Sequence, residues 1–316
     1  MTGPTVALTG ATGFIGKYLL GELALRGYQV RVLLRSPAAL PPGCQHAVIG
    51  DLARPINMNA ALAGVDTIIH SAGMAPSMTG APAEDFRRLD TGATAALALA
   101  AQRAGVRRFI FMSSPRAAAD ASAGEMLTEN SEPKPTDAYG RSKLAAEQEL
   151  AKLDLDWVAL RLALVVGPGV KGNMARLIQL ARSPYPLPFG ALRAKRSLLS
   201  IANLSAAVES VIGAKRPLRR PLIAADPEPL TVPELVTAMR AGLGRRPGLI
   251  DVPEAVLRFG FRLGGYAELY RRLAEPLVGD PAALLRMGWV PPMATSAALA
   301  AATRNYQHDA NHRFAL

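Results

Sequence analysis

The chain has 316 residues, half of them apolar, enough for one large domain or two small ones around a substantial core. Charged residues make up only 19%, which excludes a disordered, strongly solvated chain, and the single cysteine, Cys44, excludes a disulfide framework or a cysteine-built zinc site. The 36 Lys and Arg against 25 Asp and Glu leave a formal charge of +11, which attracts anions of any kind. The basic residues fall in scattered pairs (Arg107-Arg108, Lys215-Arg216, Arg219-Arg220, Arg245-Arg246, Arg271-Arg272) and read as a solvated surface. No zinc-finger spacing or RNA-module signature accompanies them, so no nucleic-acid partner is expected. Neither a long apolar run nor a basic segment leading into an apolar one is visible, so no membrane partner and no signal peptide are expected. The expected location is cytoplasmic.

In chain order, short apolar runs at 5–9, 30–34, 47–49, 67–70, 109–112 and 157–166 read as buried strands. Alanine- and leucine-rich stretches at 15–26, 59–63, 91–104 and 139–153 read as the helices between them. Strand, helix, strand at this spacing means parallel βαβ units, hence an α/β fold with a doubly wound parallel sheet of Rossmann type. After Gly167 comes a loop-rich stretch with Pro168, Pro184, Pro186 and Pro188, then a helix at 203–213 and a last sheet strand at 221–225. Helices are expected at 232–243, 254–272 and 282–287. The layout is a dinucleotide-binding domain over 1–166, to which 197–225 returns, and a smaller, mostly helical C-terminal substrate lobe from 167–196 and 226–316.

Thr9-Gly10-Ala11-Thr12-Gly13-Phe14-Ile15-Gly16 lies between an expected strand and an expected helix. Gly10 permits the tight turn, Gly13 lets backbone approach a pyrophosphate, and Gly16 lets the helix pack close to the strand. The helix N-terminus then offers free N–H groups and a partial positive charge to phosphate. In the first βαβ unit this motif points to a dinucleotide. The second strand ends Leu33-Leu34-Arg35-Ser36, without the acid that an NAD site uses for the ribose 2′-OH. Arg35 would meet a 2′-phosphate, so NADP is the expected cofactor and NAD the alternative; an exposed arginine with no ligand would read the same. Asp51 and Leu52, after the third strand, suit adenine contacts.

Tyr139-Gly140-Arg141-Ser142-Lys143 opens a helix, so Tyr139 and Lys143 stand at i and i+4 on one face. A phenol is a poor acid or base at neutral pH, and a nearby ammonium favours its phenolate. That is what general acid–base work beside a hydride transfer requires. Ser114, at the end of the 109–112 strand, supplies a hydroxyl to orient a substrate carbonyl. Taken alone, Tyr139 and Lys143 also fit a half-buried tyrosine packed on a solvated lysine.

Together these pieces resemble the extended short-chain dehydrogenase/reductase family, the nucleotide-sugar epimerase/dehydratase group. The resemblance covers nearly the whole chain. It rests on TGATGFIG (9–16), GDL (50–52), HSAG (70–73), Ser113-Ser114 and YGRSK (139–143). The HSAG stretch departs from the family's usual His-x-Ala-Ala. The resemblance implies Tyr139 as catalytic acid/base, Lys143 tuning it and binding nicotinamide ribose, and Ser114 as third member. It also implies cofactor contacts from Gly10, Thr12, Gly13, Phe14, Ile15, Gly16, Arg35, Asp51, Leu52 and Ala72.

Further along, 167–174 (GPGVKGNM) resembles the segment leading into the family's substrate site, and 186–190 (PLPFG) its base-binding stretch. Arg196-Ser197 with Asn203-Leu204 resembles its phosphate-binding region. Substrate contacts are thus implied from Ser114, Asn173 and Arg196, and these segments are most similar to UDP-4-keto-6-deoxy-hexosamine 4-reductases and related 4-epimerases. A homodimer through the helices at 91–104 and 139–153 is implied as well.

The expected activity is NAD(P)-dependent reduction of a UDP-linked 4-keto sugar. A 4-epimerase with no net cofactor use, a hydroxysteroid-type alcohol dehydrogenase and a non-catalytic NAD(P)-binding scaffold or redox sensor are the other readings the residues leave open. His70 reads as a packing residue and Cys44 as unreactive. His308 and His312, at i and i+4 without carboxylates, are an incomplete metal site, so no metal is expected.

Overall fold

A computed structural model describes residues 3–74, 82–120 and 122–306; His308 and His312 lie outside them. The first half runs β1 (Thr5–Thr9), α1 (Phe14–Leu25), β2 (Gln29–Leu34), β3 (Gln45–Val48), α2 (Met58–Leu62) and β4 (Thr67–His70). It continues with α3 (Ala83–Phe86), a π-helical turn Arg87–Gly92, α4 (Ala93–Arg103), β5 (Arg108–Ser113), α5 (Ala138–Ala151) and β6 (Trp157–Leu162). The second half runs β7 (Leu164–Val166), α6 (Gly172–Arg182), β8 (Lys195–Arg196), β9 (Leu198–Ser200), α7 (Ile201–Ile212), β10 (Arg220–Ala224) and β11 (Leu230–Thr231). Five helices close it: α8 (Val232–Ala241), α9 (Glu254–Leu263), α10 (Ala267–Ala274), α11 (Ala282–Arg286) and α12 (Thr295–Arg304).

Seven strands form one parallel sheet in the order β10-β6-β5-β4-β1-β2-β3. This is the Rossmann-type doubly wound sheet, and the strand order reverses between β1 and β4, the point at which such sheets take ligands at their carboxyl ends. The central strands read as unbroken apolar runs because helices bury both their faces. On one face Leu19, Leu20 and Leu23 of α1 and Val208 and Val211 of α7 pack against Leu8, Val32 and Ile110. On the other, Leu97, Ala98 and Ala101 of α4 and Ala146 and Leu150 of α5 cover Ile68, Phe109 and Phe111. A separate core joins Ile178, Phe189, Leu198, Val236, Met239 and Leu299.

Several expected elements fall differently. The single strand at 157–166 is two: after Leu162 the chain leaves the main sheet, and β7 pairs with β9 in a small parallel sheet. The loop-rich stretch after Gly167 holds α6, whose Met174, Leu177, Ile178 and Ala181 form a buried i, i+3, i+4, i+7 stripe ahead of the prolines. The helix at 254–272 breaks at Gly264-Gly265 into α9 and α10, with Gly265 at φ +77°. The helix expected at 91–104 begins at Ala83 and passes through the π turn. The alanine-rich α12 has no counterpart among the expected helices.

Arg108, read as one of the scattered surface basic residues, is fully buried. It pairs with Asp156 at 2.6 Å and donates to the carbonyl oxygens of Val211, Ile212, Ala214 and Arg216. It thereby satisfies the C-terminal carbonyls of α7 and the chain beyond, where a cation also suits the helix dipole. Replacing Arg108 with Met leaves Asp156 and these carbonyls unpaired, and is expected to cost about 3–5 kcal/mol in urea unfolding.

Candidate active site

The glycine turn leaves β1 at its carboxyl end, beside β4. Gly10 sits at φ +72°, and a Cβ there would meet Ala72 N and Ser71 C at 2.7 Å. A Cβ on Gly16 would lie 2.1 Å from the Gly10 carbonyl oxygen, so α1 can start this close to β1 only without a side chain. Gly13 caps α1 with no side chain bonded to the helix end, and Thr12 and Gly13 are exposed. The first N–H groups of α1 therefore face solvent at the positive end of the helix, a cradle that suits a pyrophosphate. Phe14 and Ile15, both half-buried, anchor the turn; Phe14 touches both the sheet core and the core beyond it.

Arg35 follows β2, exposed and without an ion pair among the described residues. Asp51 is exposed, accepts from Ala53 N–H at 3.0 Å and pairs with Arg88 at 3.3 Å, while Leu52 packs on the sheet. Beside Asp51 opens a cleft of about 590 Å³ walled by Arg54, Arg87 and Arg88.

Behind the turn lies a buried relay. Thr94 donates its hydroxyl to the Asp90 carbonyl oxygen (2.5 Å), so His70 Nε2 donates to Thr94 (3.1 Å) and His70 Nδ1 accepts from Thr9 (2.7 Å). The Thr9 oxygen in turn accepts from Ala72 N–H at 3.2 Å. Burial, with the Lys143 charge adding to it, pushes the imidazole down to about 3 and keeps it neutral.

α5 starts at the Asp137 cap, whose carboxylate accepts from Gly140 N–H at 2.7 Å. Tyr139, Lys143 and Glu147 then follow at four-residue spacing on one face. Lys143 is buried, with Nζ 3.4 Å from Asp90 Oδ1, 3.4 Å from Met112 O, and 4.8 Å and 5.6 Å from the Phe111 and Tyr139 ring centroids. Ser114 opens a 3₁₀ turn packed so tightly on the start of α5 that a Cβ on Gly140 would fall 2.3 Å from Arg116 O. The structure thus brings Ser114, Tyr139 and Lys143 to the carboxyl end of β5, one strand from the glycine turn's partner β4.

Residues 6–220 match the NAD dependent epimerase/dehydratase family. The UDP-glucose 4-epimerase of Vibrio cholerae is 30% identical over 299 residues, 91% of each chain. The chain belongs to the NAD-dependent epimerase/dehydratase family. Ceramide reductase of Caulobacter vibrioides is 28% identical over 298 residues, 92% of this chain and 87% of that one. Among solved structures, MoeE5 in complex with UDP-glucose and NAD is 26% identical with a TM-score of 0.72, covering 95% of this chain and 97% of its own.

In this member of the epimerase/dehydratase family, three site residues escaped the sequence reading. Asp90 projects inward from the π turn, where its carboxylate takes Lys143 Nζ, Met74 N–H (3.0 Å) and the Ser142 hydroxyl (3.1 Å). Glu147 is clamped by Arg161 (2.7 and 3.1 Å) and by the Ser113 hydroxyl (2.6 Å), tying α5 to β5 and β6. Arg116 pairs with Asp137 and lies 5.6 Å over the Tyr139 ring. The arginine directly after Ser113-Ser114-Pro115 was its only sequence signal.

Arg196, half-buried on β8, donates to Glu275 O at 2.7 Å. Burial, then the charge of Arg272, and against Glu275 also that of Arg116, push its guanidinium down to about 10. Asn173 is exposed in the first turn of α6 with no hydrogen bond among the described residues. Asn203 is wholly buried, its amide spent on Asp226 and Met293.

Two outcomes follow from this geometry. Between 6.5 and about 3 the unfolded chain holds the His70 proton and the folded chain does not, so stability falls as pH falls through that window. His70 alone costs about 2 kcal/mol between pH 6.5 and about pH 5, and a His70→Asn variant loses that part of the slope in chemical unfolding compared at those pH values. Gly16→Ala forces the turn away from α1 and weakens NAD(P)H binding about 10- to 100-fold, read by the fluorescence of the bound dinucleotide.

Proposed function

We propose that this enzyme transfers hydride at the C4 carbonyl of a UDP-linked sugar, reducing a 4-keto-6-deoxy-hexosamine. The observation that carries the reading is the Lys143 ammonium held in a buried site against the Tyr139 ring, with the Ser114 turn packed on the same helix end. Tyr139 Oη gives its proton to the carbonyl oxygen, and the Lys143 charge stabilises the phenolate left behind. Ser114 Oγ donates to the same oxygen and fixes it in line with Tyr139. Both Lys143 contacts, to Asp90 and to Met112 O, are long for charge-assisted bonds. The ammonium can therefore exchange one of them for a ribose hydroxyl at little cost.

The nicotinamide dinucleotide, when bound, supplies the hydride. The glycine turn and the α1 N-terminus hold its pyrophosphate, Phe14, Ile15 and Ala72 line its path, and Asp51 with Leu52 borders its adenine. Arg35, with no acid beside it, favours NADP; the NAD bound by MoeE5 supports NAD as the alternative. Arg196, with Arg116 and Arg272 near it, is an electropositive surface for a diphosphate, whose arrival offsets the mutual repulsion of these cations. Asn173 would reach the sugar from the start of α6.

The Vibrio cholerae relative supports a second reading, a 4-epimerase, in which the same three residues work in both directions. Net cofactor use separates the two. Wild type mixed with NADPH and a UDP-4-keto-6-deoxy-hexosamine is expected to lose reduced-nicotinamide absorbance over many turnovers. Tyr139→Phe is expected to lower kcat by roughly 10²–10⁴-fold with cofactor affinity unchanged. Interconversion of UDP-hexoses at C4 without net oxidation of the cofactor would replace the reductase by the epimerase.

A further inference from the structure

The hairpin of α9 and α10 packs on one side only. Leu257, the sole buried residue of α9, and Phe261 one turn on face the neighbouring core. The next face of α9 carries Val256, Phe259 and Leu263 at i, i+3 and i+7, exposed by 59%, 64% and 73%, and Tyr266 in the turn extends the stripe. An apolar band that continues past the packed face into solvent is wider than this fold needs.

Its flank is cationic. Arg258 and Arg262, at i and i+4, border the stripe, and neither makes an ion pair among the described residues. The single acid of α9, Glu254, lies at its first turn. The arginines of α10 differ: Arg271 and Arg272 are tied to Glu268, and Arg271 also to Asp120 and Glu275. Of the hairpin's arginines, those without an ion pair among the described residues are thus the two beside the apolar stripe.

From this juxtaposition we infer that the α9–α10 hairpin docks on an anionic lipid bilayer, with Val256, Phe259 and Leu263 entering the interface and Arg258 and Arg262 at the headgroups. A projecting helix with aromatic and aliphatic side chains on one face and arginines on its flank is the pattern that lies in a membrane interface. A second copy of the chain fits less well, because packing the stripe on itself antiparallel would also bring the two arginine flanks together. The absence of a membrane-crossing helix among the described residues bears on spanning, which an interfacial helix does not require.

The hairpin also borders the candidate site. α10 runs into Glu275, whose carbonyl oxygen holds Arg196, and Arg271 reaches Asp120 in the chain that follows Ser114. Docking would therefore set the mouth of the site at the lipid surface. This inference does not depend on the hydride-transfer reading.

The test is co-sedimentation of the full chain with vesicles of phosphatidylcholine alone and of phosphatidylcholine mixed with phosphatidylglycerol. Wild type is expected to bind the mixed vesicles, more weakly as salt rises. Phe259→Ser/Leu263→Ser is expected to lose affinity by roughly tenfold or more per side chain, with NADPH binding and melting temperature unchanged. Arg258→Gln/Arg262→Gln is expected to lose the preference for the anionic vesicles. Absence of vesicle binding by wild type, or binding that neither variant weakens, overturns the inference. A wild-type dimer dissolved by Phe259→Ser/Leu263→Ser, with no affinity for either vesicle, assigns the face to a second copy instead.

Discussion

Charge burial fixes where α5 can sit. Glu147 and Arg161 are almost wholly out of water, and each meets its countercharge only with α5 seated on β5 and β6 as it is. One turn earlier, Lys143 and Asp90 impose the same condition against the π turn. Separating either pair would strand a charge at about 3–5 kcal/mol, far more than a surface ion pair contributes. Sliding the helix along the sheet is therefore prohibitive, and Tyr139, on the same face, inherits a fixed position.

The glycine turn and the Tyr139 helix are parts of one buried network. Thr9 closes β1, bonds His70 at the end of β4, and through Thr94 and Asp90 the connection reaches Lys143. Gly73 allows this closeness: a Cβ there would meet Asp90 Oδ1 at 2.6 Å and Lys143 Nζ at 3.1 Å. The glycine turn and the start of α5 are thus joined by one chain of buried hydrogen bonds. The neutral His70 adds no further positive charge beside Lys143.

The chain's apolar runs exposed the parallel sheet because buried strands need no polar face, and the glycine motif was legible because close backbone approach admits no other residue. The spacing of Tyr139 and Lys143 required only helical periodicity. Asp90 was hidden for a physical reason: it precedes the expected helix at 91–104, and its inward position depends on the π turn Arg87–Gly92, which leaves no periodic signal. Glu147 and Arg161 lie 14 residues apart in a helix and a strand, so nothing local links them. Arg108 resembled its exposed neighbours because its partners, the carbonyls at the end of α7, are backbone and have no sequence signature. The departure of β7 from the sheet depends on β9, more than 30 residues later, which the run at 157–166 cannot reveal.

In the proposed reaction hydride passes to C4 of the sugar beside Tyr139 and Lys143. NADPH deuterated at C4 of the nicotinamide, incubated with enzyme and a UDP-4-keto-6-deoxy-hexosamine, tests it by NMR of the recovered sugar. Deuterium is expected at C4 of the reduced sugar with wild type, and at a rate lower by roughly 10²–10⁴-fold with Tyr139→Phe. A sugar that stays unlabelled while wild type binds both ligands would contradict it.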